Sequence, residues 1–320
     1  MLLIGIDEVG YGPVLGPLCH GLAVFRVLEA EEPPDLWSRL TPAISRHPAP
    51  KGALCVDDSK LVYSGPSKLE HLGATVLAFH RIGVRTGCRN GGESAALAAL
   101  VAQEELARIE ADPWGQRPIR GEPLDAFVSG ALTQLQTFLT ERGVQFVGCF
   151  ATALTARDFN ADVARTNNKA DVNGSRAMAL LRYALKVEPA EKKVHAVVDR
   201  HGGRKFYAGM LSACFPGTFV RVELETRSRS VYRMDLEGHD VCVEFTEKAD
   251  GCALPVALAS MTAKLVRELY MARFNAYFCA HQPALQPTAG YYTDALRFLK
   301  DTHALRKQLR LEDQTLVRTK

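Results

Sequence analysis

Apolar positions along this chain switch between continuous runs, alternation and helical spacing, and the switches outline its elements. "LLIGID" (2–7) is an apolar run closed by acid, the pattern of a strand buried on both faces. "LCHGLAVFRV" (18–27) follows as its hairpin partner, and the Pro-rich "PPDLWSRLTPAISRHPAPKG" (33–52) reads as surface chain. After "CVDDSK" (55–60) a helix is expected through "SKLEHLGATVLAF" (67–79). "ESAALAALVAQEELARIEA" (93–111) and "LDAFVSGALTQLQTFLTE" (124–141) predict two amphipathic helices flanking "DPWGQRPIRGEP". "VQFVGCFATAL" (144–154) predicts a strand, and "NGSRAMALLRYAL" (173–185) a helix capped by Asn173 or Ser175. "KKVHAVVDRHGG" (192–203) predicts a third buried strand, ending in Asp199 and glycines; "TFVRVELET" (218–226) and "DVCVEFTE" (240–247) are strand-like. "ALPVALASMTAKLVRELYMARFNAYF" (253–278) is a long helix, and "TDALRFLKDTH" (293–303) closes the series. Strands alternating with helices after an opening hairpin argue for an α/β domain, a mixed central sheet flanked by helices.

Composition changes this picture little. With 47% hydrophobic and 23% charged residues over 320 positions, the chain has the balance of a soluble globular protein and ample material for a core. The net charge of +3 does not announce a nucleic-acid binder. Basic residues nevertheless gather in "DRHGGRKF", "RVELETRSRSVYR" and "LRKQLRLEDQTLVRTK", which are either solvated faces or a phosphate-tracking surface. Eight cysteines without a CxxC pair or a zinc-spaced Cys/His cluster read as small buried hydrophobes in a reducing compartment, so no structural zinc is expected. "MLLIGI" has no basic n-region and meets Asp7 too soon for a signal peptide, and no apolar run approaches the ~18 residues of a membrane helix. The expectation is a cytoplasmic monomer with no membrane partner.

Chemistry enters through acids at strand ends. Asp7 and Glu8 are adjacent, and within a regular strand they point to opposite faces, so one site can use both only if the strand ends there. Gly10 and Gly12 then permit a sharp bend and a close backbone approach to a ligand, and Pro13 fixes the exit. Taken alone, the stretch is equally a hairpin turn with incidental surface acids. Asp199 tips the balance: if its strand lies beside the first, Asp7, Glu8 and Asp199 converge, and their repulsion invites a divalent cation, Mg2+ or Mn2+ by hardness. Lys264 and Glu268, spaced i, i+4, are the usual exposed ion pair; an active-site edge would also explain the polar cluster Ser260, Thr262, Lys264, Arg267 and Glu268 on an apolar helix.

These residues resemble a known family. "GIDEVGYGPVLGP" is similar to the opening motif of the type 2 ribonucleases H, the HII and HIII branch. Further blocks follow in the family's order: "DDSK" at Asp57–Lys60, "VVD" at Val197–Asp199, "ASMTAKLVRE" at Ala259–Glu268 and "GYYT" at Gly290–Thr293. The resemblance implies a ribonuclease H-like fold and metal-dependent hydrolysis of the RNA strand of RNA–DNA hybrids, extending to single ribonucleotides in duplex DNA. It implies Asp7, Glu8, Asp199 and Glu268 as catalytic metal ligands, for two ions with substrate bound. Gly10, Tyr11 and Gly12 would read the ribose 2′-OH through backbone groups; Ser59, Lys60 and Lys264 would hold phosphates, and Tyr291 would pack on a sugar. The chain departs from the family at Tyr11 (arginine in most HII members), Arg200 (commonly glycine), Glu268 (usually aspartate) and Tyr292 (glycine). Its extra length implies a helical insertion at 89–142 and a strand-like one at 228–248 within a single catalytic domain.

The implied chemistry is in-line attack of water on the scissile phosphate, leaving 3′-hydroxyl and 5′-phosphate ends. Two rivals stand beside it. His20 and His201 offer metal-free general base catalysis, although neither sits in a pattern that supplies an orienting partner. The other is a non-catalytic or differently specific nucleic-acid-binding protein on the same fold.

Overall fold

The computed structural model describes residues 1–50, 52–65, 67–83, 93–118 and 129–319. Strands β1 (Leu2–Val9) and β2 (Leu18–Val27) form the opening hairpin, and a short parallel pair, β3 (Ile44–Ser45) and β4 (Leu54–Cys55), lies apart. With β5 (Val144–Leu154), β6 (Lys193–Asp199), β7 (Arg221–Glu225), β8 (Arg229–Leu236) and β9 (His239–Thr246), the hairpin builds a seven-stranded sheet in the order β5-β2-β1-β6-β9-β8-β7. β1 runs parallel to β6, and β6 to β9; the other neighbours are antiparallel. The helices are α1 (Leu36–Leu40), α2 (Ser59–Val62), α3 (Lys68–Gly83), α4 (Glu93–Leu100), α5 (Gln103–Glu110), α6 (Ser129–Glu141), α7 (Ala156–Thr166), α8 (Lys169–Val187), α9 (Ala208–Cys214), α10 (Leu254–His281), α11 (Tyr292–Asp301) and α12 (His303–Gln308).

The sheet's two faces are read by alternate residues of one strand. In β1, Leu3 enters the core built with α3, α4 and α10, whereas Leu2, Ile4 and Ile6 enter a second core with α8 and α9. Continuous hydrophobicity in "LLIGI" is therefore the signature of a strand covered twice, and the expected mixed sheet flanked by helices is what forms. Segment 228–248 supplies β8 and β9 to this same sheet. Segment 89–142 contributes Leu97, Leu100, Ile109, Trp114, Leu135 and Leu139 to the α10-side core; residues 89–92 and 119–128 lie outside the described ones.

Several boundaries differ from the sequence expectation. The helix expected over 93–111 is two, because Ala102 is extended (φ −64°, ψ 151°), and Glu104 and Glu105 then favour a new helix start. α8 begins at Lys169, capped by Asn168, whose side chain accepts from the Ala170 amide at 2.9 Å; Asn173 lies buried inside the helix instead. Helix α7 follows β5 with Thr155 as its cap, an element the apolar pattern had not announced. Among the described residues no helix is long and apolar enough to cross a membrane.

Helix α10 lies hard against β1 and β2. A methyl group built on Gly21 would fall 1.9 Å from the Ala259 carbonyl oxygen, and one on Gly5 would fall 2.0 Å from the Pro255 carbonyl carbon. Backbone cannot yield as a flexible side chain can, so Gly21→Ala is expected to destabilise the protein by ~1–3 kcal/mol. Gly148→Ala, where nothing lies within 4 Å, is expected to be neutral or slightly stabilising. Urea unfolding of the two variants checks this.

Candidate active site

Parallel register brings two acids together. Ile6 pairs with Val198, so Asp7 and Asp199 are the next residues on adjacent strands, and both project to the α10 face, opposite to Ile6 and Val198. There Ser260 of α10 lies beside Asp7, and its hydroxyl donates to Ser59 at 3.1 Å. Asp199 accepts the Ala249 amide at 2.8 Å, which ties it to the turn carrying Asp250. Asp250 is the acid that sequence reasoning missed. It lies just after β9, whereas Asp199 is the last residue of β6, and "EFTEKAD" carries a weaker form of the signal, a strand pattern followed by an acid.

Glu8 is placed differently. The strand expected to end at the acids continues to Val9, with Glu8 opposite His20 in the β1–β2 ladder. Glu8 therefore faces α8, where Asn173 Oδ1 accepts from His20 Nε2 at 2.7 Å and His201 Nε2 stands 3.9 Å from a Glu8 oxygen. Glu8 Oε2 is buried with no hydrogen-bond partner among the described residues. Burial pushes His201 down to about 3 and His20 down to about 4, so both rings are neutral at physiological pH.

The acids share one field. Burial, then the charge of Asp199, raises Asp7 to about 8, with Asp250 adding to it and the Ser260 hydroxyl opposing. Burial followed by Asp7 and Asp199 lifts Glu8 well above the carboxylate range. Asp199 is raised by burial and Asp250, against the Ala249 amide and Lys60; Asp250 is raised by burial and Asp58, again against Lys60. Lys60 is thus the cation nearest in effect to this cluster.

Glu268 belongs to a neighbouring group. Ser260 and Glu268 are eight residues apart on α10, about 12 Å along the axis. One Glu268 oxygen accepts from Lys264 at 2.6 Å, the other from the Tyr63 hydroxyl at 2.8 Å, and Arg267 stands 3.6 Å away. Burial raises its carboxyl, but Lys264, Tyr63 and Arg267 outweigh that and hold it low. Lys264 also lies over the Tyr63 ring at 4.5 Å. Half-exposed Tyr291 lies over the Arg267 guanidinium at 5.7 Å. Tyr11 is partly buried near Glu8, with Lys169 5.4 Å from its ring centre. Arg200 turns away from the acids, donating to the Arg204 carbonyl at 2.8 Å and to that of Arg227.

The glycine loop is held from below. Gly10 has φ +89°, and a methyl group there would meet the Pro17 carbonyl at 2.7 Å and Arg267 Nε at 2.8 Å. Gly12 faces open space. The amides of Val14 and Leu15 donate to the Gly290 carbonyl at 2.8 and 3.1 Å, joining "GPVLGP" to the "GYYT" block.

No family model matches the chain, and no curated protein matches it. Among solved structures, a chain of the PCNA:RNase HII complex from Archaeoglobus fulgidus aligns over 100% of this chain and 95% of its own, at 14% identity and a TM-score of 0.43. Ribonuclease H2 from Pyrococcus horikoshii OT3 aligns over 99% and 92%, at 15% identity and a TM-score of 0.44. Bst-RNase HIII in complex with Mn2+ aligns over 99% of this chain and 66% of its own, at 15% identity and a TM-score of 0.41. These are remote similarities, and residue roles rest on the site itself.

The donors suit a hard divalent cation in chemistry and charge: carboxylates that repel one another, one of them with an unpartnered buried oxygen. Among the described residues no three such groups form a ready-made cage, so the ligating geometry would have to close around the ion. The field has a measurable consequence. Carboxyls raised in the folded state contribute stability at low pH that is lost as pH rises through their folded values, up to about 8 for Asp7. In chelator, Tm is therefore expected to fall between pH 5 and 8.5. Millimolar magnesium should reverse the fall at pH 8, and Asp7→Asn should raise Tm there by about 2 °C or more. Differential scanning calorimetry across that pH range checks all three.

Proposed function

We propose that this chain is a metal-dependent endonuclease that hydrolyses the RNA strand of RNA–DNA hybrids and at single ribonucleotides embedded in duplex DNA. The observation that carries the reading is the placement of Asp7 and Asp199 side by side on adjacent parallel strands, with the turn carrying Asp250 bonded to Asp199, Glu8 in the same field and the glycine loop following β1. The five sequence blocks in family order support it, because the same blocks supply the acids, Ser59 and Lys60, the α10 segment and Tyr291.

In this reading Asp7, Glu8, Asp199 and Asp250 hold Mg2+ or Mn2+, two ions with substrate present. Such ions supply charge neutralisation at the scissile phosphate and an activated water. The chain's own residues do the rest. Neutral His201 and the His20–Asn173 pair line the Glu8 carboxylate on the α8 side, and Ser260 with Ser59 holds Asp7 on the α10 side. Lys60 offers counter-charge to a phosphate beside the acids. Backbone groups of Gly10, Tyr11 and Gly12 meet the ribose 2′-OH, and Tyr291 packs on a sugar. Glu268 serves as the anion that fixes Lys264, Tyr63 and Arg267 at the edge of the site.

A second reading, a nucleic-acid-binding protein without catalysis, is favoured by the same geometry in one respect: Lys264 is already paired with Glu268. Cleavage of a hybrid duplex, an all-RNA duplex, an all-DNA duplex and a single-ribonucleotide duplex with magnesium or manganese separates the two. Wild type is expected to cut the hybrid and leave 3′-hydroxyl ends. Asp7→Asn and Asp250→Asn should each lose about 100-fold or more in rate, since they remove charge from the reacting centre. Glu268→Gln should lose less than Asp250→Asn. Tight binding with no metal-dependent cutting would favour the second reading, and a larger loss for Glu268→Gln would return the fourth ligand to α10.

A further inference from the structure

A buried arginine from the far end of the sequence lies beneath the glycine loop. Arg318, only 4% exposed, follows α12 in a segment that adds to the loop as a strand: Leu15 bridges Val317, and the Arg318 amide donates to the Val14 carbonyl at 2.9 Å. Asn160 of α7 grips this segment, donating to the carbonyls of Gln314 and Val317 at 3.1 and 2.8 Å and accepting from the Thr319 amide at 2.8 Å. The guanidinium then reaches inward. Its NH2 donates to the Gly10 carbonyl at 2.5 Å and to that of Pro13, and its face lies 5.1 Å from the centre of the Phe159 ring.

No acid pairs with this charge among the described residues, and its Nε and NH1 are buried without partners. Burying an unpaired guanidinium is costly, so surface chemistry does not explain its placement. What the contacts accomplish is orientation. A trans peptide points its C=O and the following N–H in opposite directions. Pinning the Gly10 carbonyl inward therefore turns the Tyr11 N–H outward. Among the described residues neither the Tyr11 nor the Gly12 amide has an acceptor within the protein. The Pro13 carbonyl is pinned likewise, and the next amide, Val14, is committed to Gly290.

We propose that Arg318 is a positioning residue for ribose recognition: by holding the Gly10 carbonyl from beneath it presents the Tyr11 amide to the 2′-hydroxyl of the substrate, and by holding the Pro13 carbonyl it anchors the loop's exit. This rests on the nuclease reading for the identity of the ligand, but the loop geometry stands apart from it. Arg318 touches no reacting atom. Its loss acts on recognition rather than on the metal-held chemistry, because one terminal nitrogen of the guanidinium holds both carbonyls and reaches no acid of the site.

The test compares wild type, Arg318→Ala and Arg318→Lys in the full chain with magnesium. On a single-ribonucleotide duplex, Arg318→Ala should raise KM about tenfold with kcat changed far less, as expected when a supporting contact is lost. Its preference over an all-DNA duplex in binding should fall by a similar factor. Millimolar methylguanidinium should restore part of the loss in Arg318→Ala and do nothing to wild type, a response that general destabilisation would not give. Hydrogen exchange over residues 10–16 should quicken in Arg318→Ala and recover in part in Arg318→Lys, while the β1–β6 ladder exchanges as before. Unchanged KM, ribose preference and exchange would overturn the proposal, as would a collapse of kcat alone. If wild type neither cuts nor distinguishes ribonucleotides, the nuclease reading fails; the exchange arm then decides whether Arg318 orders the loop, and unchanged exchange overturns it.

Discussion

Helix α10 can approach β1 and β2 because Gly5 and Gly21 present no side chain to it, and the polar groups at the strand ends inherit their places from that contact. A helix held this close brings Ser260 against Asp7 and Arg267 beneath Gly10, because the residues lie at fixed steps along one rod. The same rod carries Glu268 about two turns beyond Ser260, where it accepts from Lys264 and Tyr63. Close packing thus sorts the polar residues of "ASMTAKLVRE" into two groups, one facing the carboxylates and one facing Tyr63 and Tyr291.

Within that frame the acids occupy an uncomfortable position. Asp7 and Glu8 remain in a regular strand and so divide between the sheet's faces, one facing the α10 side and the other a pocket of His20, Asn173 and His201. Burial and mutual repulsion lift their protonation together, against a few hydrogen bonds; Lys60 opposes the same rise at Asp199 and Asp250. Stability alone would not select this arrangement, since apolar residues at the same places would carry no such penalty. A cluster that costs folding energy at neutral pH is best understood as built for a positive partner.

Much of this was legible in the sequence, for a physical reason: strands covered on both faces must be continuously apolar, so β1, β5 and β6 declared themselves, and acids at their ends stood out against that background. Asp199 was found this way. Asp250 carried a weaker form of that signal after β9 but was passed over for Glu268, which sits in a more conspicuous polar helix segment; only the parallel pairing of β6 with β9 makes Asp250 a neighbour of Asp199. Asn173 looked like a helix cap because polar residues near an apolar periodic run often are, yet the helix starts at Lys169, and the side chain is spent on His20. Arg318 stood out only as part of the basic "LRKQLRLEDQTLVRTK", read as a solvated or phosphate-tracking face; its burial could not be read locally, since its partners Gly10 and Pro13 lie 308 and 305 residues away.

The glycine loop shows why a motif of small residues needs distant support. Gly10 and Gly290 both take positive φ and both press against Arg267, so their lack of side chains serves packing. Gly12 is different: it meets nothing, and its freedom from side-chain bulk matters only to something arriving from outside. A loop with one wedged glycine and one open glycine has too few contacts of its own to fix its peptide planes. The planes are fixed instead by groups that come from elsewhere, the Gly290 carbonyl for Val14 and Leu15 and the Arg318 guanidinium for Gly10 and Pro13. The opening motif is consequently a shape held by the loop that precedes α11 and by the segment that follows α12, so that the two ends of the sequence meet where that shape is needed.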